Sequence, residues 1–293
     1  MPLPLTRRSL LGGAILLLPI SQAPRLVHAA AEDIDVRLAA LERKTGGRLG
    51  VSVLDTETNI GFDYRETERF PMLSTFKTLA AACVLARIDQ NEDALERRIR
   101  FSKDDLVTYS PVTEKFVDGE GMTLSAICAA AITLSDNTAG NLLLAQVGGP
   151  QGLTAWLRSI GDAVTRLDRT EPTLNESLKG DARDTTTPSA MRETITSLIA
   201  GDALSPSSRD HLLGWLVANK TGDQRLRAGL PGDGLIGEKT GTTDKGGACD
   251  VGLFQPARRQ PIFISAYVAE ATVPVKELNP VFSEIGRMVT ELL

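Results

Sequence analysis

The spacing of apolar residues along this chain switches between two periods, and strand-like alternation is confined to its two ends. "EDIDVRLAALERKTG" sets Ile34, Leu38 and Leu41 at helical spacing and stops at Gly46 and Gly47. "RLGVSVLDTETNIGFDYRE" follows as two short alternating runs around a polar turn, the pattern of a β-hairpin. From about residue 68 to 219 the signals are mainly helical, including a run in which Thr187 caps, Pro188 starts and Gly201 ends a helix. Alternation then returns in "GLIGEKTGTT", "ACDVGLF" and "PIFISAYVAEA", and an amphipathic helix closes the chain in "VKELNPVFSEIGRMVTELL". The simplest architecture is an α/β (α+β) fold: an antiparallel sheet built from both ends of the chain, flanked by N- and C-terminal helices, with an all-helical domain inserted. Residues 31–67 and 220–293 are expected to form the sheet domain and residues 68–219 the helical one, with a cleft at the seam.

The first thirty residues stand apart. Arg7 and Arg8 precede an apolar run from Leu10 to Ile20 and a small-residue stretch at Ala29–Ala31, the pattern of an export signal over residues 1–30. The paired arginines point to the twin-arginine route and a periplasmic destination. No later segment approaches the roughly 20 apolar residues that a spanning helix needs, so no stable membrane association is expected.

Histidine is scarce, and this narrows the chemistry. Of the two present, His28 falls in the export segment, which leaves His211 in "SSRDHLLGWLVA" as a helix-face residue. Neither a zinc site nor a triad built on imidazole is expected, and no metal or cofactor. A net charge of −5 with 4% aromatic residues argues against nucleic acid as a partner. Cys83, Cys128 and Cys249 are odd in number and lack metal-like spacing, and folding before export disfavours a disulfide.

Four short motifs remain. In "FPMLSTFKTLAAACVLARID", Ser74 and Lys77 share one helix face, so a lysine whose pKa is lowered by apolar surroundings could activate the hydroxyl. A capping serine beside a lysine that reaches solvent fits the same letters. In "TLSDNTAGNLLL", Ser135 could relay a proton and Asn137 grip an amide, or the segment could simply cap a helix. "GEKTGTTDKGG" places Lys239, Thr240 and Gly241 on a strand suited to a carboxylate, or on an exposed edge. "TRLDRTEPTLNESLKGDARDTTTP" is a long aperiodic loop whose ends Arg169 and Asp184 could pin, leaving Glu171 and Asn175 to hold a water.

Taken together and in this order, S-x-x-K, S-D-N and K-T-G resemble the class A serine β-lactamases. The resemblance runs the length of the chain after residue 30 and extends to "YSPVTEK", "AITLSDNTAGNLLL" and "RLDRTEPTLNE". It implies that Ser74 attacks a β-lactam carbonyl, with the backbone amides of Ser74 and Thr242 as the oxyanion hole. It implies further that Ser135 protonates the leaving nitrogen, with Lys77 and Lys239 shaping its electrostatics. Glu171 and Asn175 then hold the deacylating water, and the catalytic loop spans residues 167–187. Asn137 is implied to bind the drug's side-chain amide, Thr240, Gly241 and Thr242 the region of its carboxylate, and Tyr109 to wall the entrance. A cis Glu171–Pro172 bond and a monomer are also implied.

The chain departs from common members in places. Ala248 or Cys249 stands where many relatives carry a carboxylate-binding arginine, and Arg225 matches the position from which others supply it. Cys128 matches half of a disulfide found in many relatives, but its partner position is Ala81. Leu73 and Thr243 occupy places where some carbapenem-hydrolysing members have linked cysteines. The alternatives are a penicillin-binding DD-peptidase, which lacks a Glu171–Asn175 pair, and a β-lactam sensor that stays acylated. A structural protein that kept only the fold would be expected to have lost one of these polar residues.

Overall fold

The computed structural model describes residues 23–293, so most of the expected export segment lies outside the described residues. Helix α1 (Ala23–Thr45) is followed by the hairpin of β1 (Arg48–Asp55) and β2 (Ile60–Tyr64). The short strand β3 (Phe70–Pro71) leads through a 3-10 turn, Leu73–Thr75, into α2 (Phe76–Asp89). The two-residue strands β4 (Arg98–Ile99) and β5 (Met122–Thr123) pair with each other before α3 (Leu124–Thr133), α4 (Asn137–Gln146) and α5 (Gly149–Ser159). After a long loop, β6 (Thr185–Thr186) pairs with β3 and precedes α6 (Pro188–Ile199) and α7 (Pro206–Val217). A one-turn helix α8 (Leu226–Gly229) then introduces β7 (Leu235–Thr243), β8 (Gly247–Gln255), β9 (Ile262–Ala269) and α9 (Val275–Thr290).

The main sheet has the order β2-β1-β9-β8-β7 and is antiparallel throughout. The last strand to be made in the chain, β9, therefore lies at its centre, zipped to β1 from Arg48↔Ala269 to Asp55↔Ile262. Both faces of the sheet are covered, and β9 records this in its sequence. Ile262, Ile264, Ala266 and Val268 pack with α1 and α9, whereas Phe263, Tyr267 and Ala269 pack toward the helical region. A strand buried on both sides reads as a continuous apolar run, as "IFISAYVA" does.

The helical region is organised around α2, whose residues from Phe76 to Ala86 are all buried. A helix apolar all round has no solvent face and needs neighbours on every side. Here α3, α4, α5 and α7 surround it, and α4 comes close because Gly140 has no side chain. A Cβ at Gly140 would sit 2.9 Å from Lys77 Cε. The edge strand β7 is not exposed: α7 and the 3-10 turn before α2 cover it, burying Ile236 through Gly241. Cys83, Cys128 and Cys249 are buried and unpaired. No helix among the described residues is long and apolar enough to cross a membrane.

Candidate active site

Ser74 sits in the 3-10 turn immediately before α2 rather than inside the helix. Lys77 follows in the first turn of α2, fully buried, with Nζ 2.8 Å from Ser74 Oγ. The same nitrogen lies 2.6 Å from Asn137 Oδ1, 3.0 Å from the Ser135 carbonyl and 3.4 Å from Ser135 Oγ. It is also 3.0 Å from Glu171 Oε1. An ammonium has three protons, and three of these oxygens can only accept. With the amine neutral, two protons remain for these oxygens and a lone pair can accept from the Ser74 hydroxyl. Burial lowers the Lys77 pKa, opposed by the charges of Glu171 and Asp136.

A second buried lysine completes the centre. Lys239 Nζ donates to Ser135 Oγ at 3.0 Å and to the Thr240 carbonyl at 2.6 Å. Burial, and after it the nearby charge of Lys77, pushes Lys239 down to about 7. The Ser135 hydroxyl thus lies between two amines, on a residue held at φ +59°. Its neighbour Asp136 caps α4 through the Ala139 amide and also accepts from the Val112 and Thr113 amides and the Thr113 hydroxyl. The S-D-N segment therefore caps a helix and anchors the preceding loop as well. Asn137 donates one N–H to the Thr108 carbonyl at 2.8 Å while its oxygen faces Lys77, which leaves its second N–H for the cleft.

The opposite wall is β7. Its close approach to Ser74 depends on Gly241, where a Cβ would lie 3.0 Å from Ser74 N and 2.7 Å from Leu73 Cβ. Beneath the strand Arg225 is buried, donating to the carbonyls of Gly241 and Cys249 at 2.8 and 2.7 Å and to Thr242 Oγ1 at 2.7 Å. The guanidinium reaches the cleft through the threonine hydroxyl. Tyr109, 57% exposed, stands at the rim.

Glu171 is carried on the loop 167–187 and is buried against Lys77. Its peptide bond to Pro172 is cis. Asn175 Nδ2 donates to Glu171 Oε2 at 2.5 Å. Glu171 Oε1 and Asn175 Oδ1, both buried, receive no aligned hydrogen bond from the protein. The loop is closed at its ends by Asp184, which accepts from the Asp168 and Arg169 amides at 2.8 and 2.9 Å and from Arg169 Nε at 2.5 Å.

The cleft lined by Ser74, Tyr109, Ser135, Asn137, Asn175, Thr221, Thr240, Gly241 and Thr242 encloses about 340 Å³. All the residues expected from the sequence line it or buttress its walls, while His211 lies exposed, stacked on Trp215. Two residues were not foreseen. Asn141 exchanges hydrogen bonds with the Glu171 backbone at 2.9 and 3.0 Å, and its place one helical turn after Asn137 was the available signal. Thr221 lines the cleft from the loop before α8, where no spacing marks it.

The fold and cleft describe a serine hydrolase in which lysine and carboxylate stand where imidazole is often found. Residues 33–293 match the model of the β-lactamase enzyme family. The β-lactamase CTX-M-8 of Citrobacter amalonaticus is 42% identical over 285 residues, covering 97% of each chain. The β-lactamase AST-1 of Nocardia asteroides is 46% identical, over 88% of this chain and 83% of that one. The structure of an ancestral (GNCA) class A β-lactamase is 58% identical and superposes with a TM-score of 0.87, covering 89% of this chain and 100% of the other. The chain belongs to this family, as a class A serine β-lactamase.

Proposed function

We propose that this protein hydrolyses β-lactams in two acyl-transfer steps. The observation that carries the reading is the single buried amine of Lys77, within 3.0 Å of the oxygens of Ser74, Ser135, Asn137 and Glu171. Lys77 takes the Ser74 proton as Oγ attacks the lactam carbonyl, and the Ser74 and Thr242 amides receive the oxyanion. As the C–N bond breaks, Ser135 passes its proton to the departing nitrogen and is reprotonated from Lys77, with Lys239 holding its oxygen. A water donating to Glu171 Oε1 and Asn175 Oδ1 would give the Asn175 oxygen a partner and Glu171 Oε1 a second one beside Lys77. Glu171 removes its proton as it attacks the ester, and Ser74 leaves with a proton returned through Lys77. Asn137 binds the side-chain amide, Thr240 and Thr242 the carboxylate, Tyr109 the outer face of the drug, and Arg225 acts by orienting Thr242. The chain works as a monomer, exported by the twin-arginine route to the periplasm, a reading supported by Arg7 and Arg8 ahead of the apolar run.

The test follows purified protein with benzylpenicillin and a chromogenic cephalosporin, by absorbance and intact mass. Multiple turnover is expected for the natural protein and none for Ser74→Ala. Glu171→Ala should gain one penicillin mass and hold it. Normal turnover by Glu171→Ala would remove Glu171 as the deacylating base.

A further inference from the structure

Hydrogen counting in the carboxylate end of the cleft separates two threonines that look alike in sequence. Thr221 Oγ1 lies 2.5 Å from Thr240 Oγ1 and 2.9 Å from Asn219 Oδ1. The Asn219 oxygen also faces the Thr221 main-chain amide at 3.3 Å. That amide can only donate, so it sets the orientation of the side-chain amide, whose oxygen must point toward Thr221. A carbonyl oxygen can only accept, so the Thr221 hydroxyl spends its one proton on Asn219. Thr221 Oγ1 is then an acceptor toward Thr240, and the Thr240 proton is committed to that contact. Thr242 is the opposite case. Its oxygen accepts from Arg225 Nη2 at 2.7 Å, which leaves its own proton free, and its side chain is exposed to the cleft.

We infer that Thr221 is a specificity-determining residue that withholds the Thr240 hydroxyl proton, so that Thr242, backed by Arg225, is the principal donor to the substrate carboxylate. The inference rests on the reading that a β-lactam carboxylate lies between these threonines. An anion arriving there must turn the Thr240 hydroxyl outward, breaking the short contact to Thr221 before a charge-assisted bond forms. The hydrogen bond lost to Thr221 offsets part of the one gained. Thr221 thus lowers affinity for an anionic group without touching the reacting atoms.

The experiment measures the dissociation constant of the noncovalent complex and the acylation rate separately, from the concentration dependence of the pre-steady-state burst. Thr221→Val, which keeps the shape and removes the hydroxyl, is expected to bind benzylpenicillin about threefold to tenfold more tightly, the worth of roughly one net hydrogen bond. The acylation rate should follow the natural protein, and Thr221→Ala should shift binding in the same direction. Thr221→Ser, which keeps the hydroxyl, should return to the natural value, and the methyl ester of benzylpenicillin, which carries no anion, should be bound alike by all. Thr242→Val tests the underlying subsite and is expected to weaken binding of the acid. If Thr242→Val weakens binding while Thr221→Val and Thr221→Ala leave it unchanged or weaker, the withheld proton is refuted and the subsite stands. If none of the variants alters binding of the acid, the carboxylate lies elsewhere and both ideas fall.

Discussion

Two lysines enclosed side by side are costly to charge, and the pair leaves a mark on stability as well as on catalysis. Lys239 titrates at about 7 in the folded protein against an ordinary 10.5, because burial and the neighbouring Lys77 disfavour its ammonium. The unfolded chain holds that proton up to 10.5, so between about 7 and 10.5 it binds more protons than the native state. Stability from this group is therefore complete above the unfolded value and is lost as pH falls toward the folded one. Urea unfolding of the natural protein should show increasing stability from pH 7 to about pH 8.5, below the range in which the three buried thiols oppose it, and Lys239→Met should flatten that rise while removing activity. An unaltered pH slope in Lys239→Met would show that Lys239 is charged throughout. Lys77 and Lys239 were legible in the sequence because an ammonium among apolar neighbours, or beside glycine on a strand, asks for a reason. Thr221 was not. Its role depends on which of two hydroxyls donates, and that is decided by a contact with a residue 19 positions away and by the orientation of Asn219.

At the scale of elements, the loop 167–187 matters most, because it carries Glu171 and Asn175 and has little regular structure of its own. It is held at three places. Asp184 clasps its ends through Asp168 and Arg169, Asn141 of α4 pairs with the Glu171 backbone, and Thr243 of β7 donates to the Asn175 carbonyl at 3.0 Å. Removing the clasp leaves two amides and Arg169 Nε without their acceptor, while the rest of the guanidinium keeps Glu176. Asp184→Ala should cost about 3 kcal/mol of stability, the lower end for breaking a buried pair. It should also slow deacylation more than acylation, so that burst amplitude and acyl-enzyme mass both increase at steady state. Equal slowing of both steps would mean that the clasp supports the whole cleft rather than the water site. Arg169 and Asp184 could be read in advance as opposite charges near the ends of a long aperiodic stretch. The Asn141 and Thr243 attachments could not, since each joins the loop to an element whose approach is set by packing.

Across the whole molecule, the order of helix, hairpin, helices, strands and helix was readable from hydrophobic period alone, and so was a sheet drawing on both ends of the chain. The strand order was less so. Local spacing favours hairpins between sequence neighbours, whereas pairing of β1 with β9 brings together residues more than two hundred positions apart, as in Arg48↔Ala269. The burial of β7 was also hidden, because α7 and the turn bearing Ser74 supply its cover. The three thiols lie within these packed layers, with burial pushing Cys83 and Cys249 up to about 12. A thiol-reactive dye should detect none of them in the native protein and all three in denaturant, and reductant should leave the melting temperature unchanged. The placement of β9 has a consequence for biogenesis. A ribosome that has delivered residues 1–234 has already made Ser74, Lys77, Ser135 and Glu171, yet neither the β7 wall nor the two strands, β8 and β9, that join β1 to it. Antibiotic-opening capacity is thus expected among the last properties the nascent polypeptide acquires, and a product terminated before residue 262 should be inert although its nucleophile is intact.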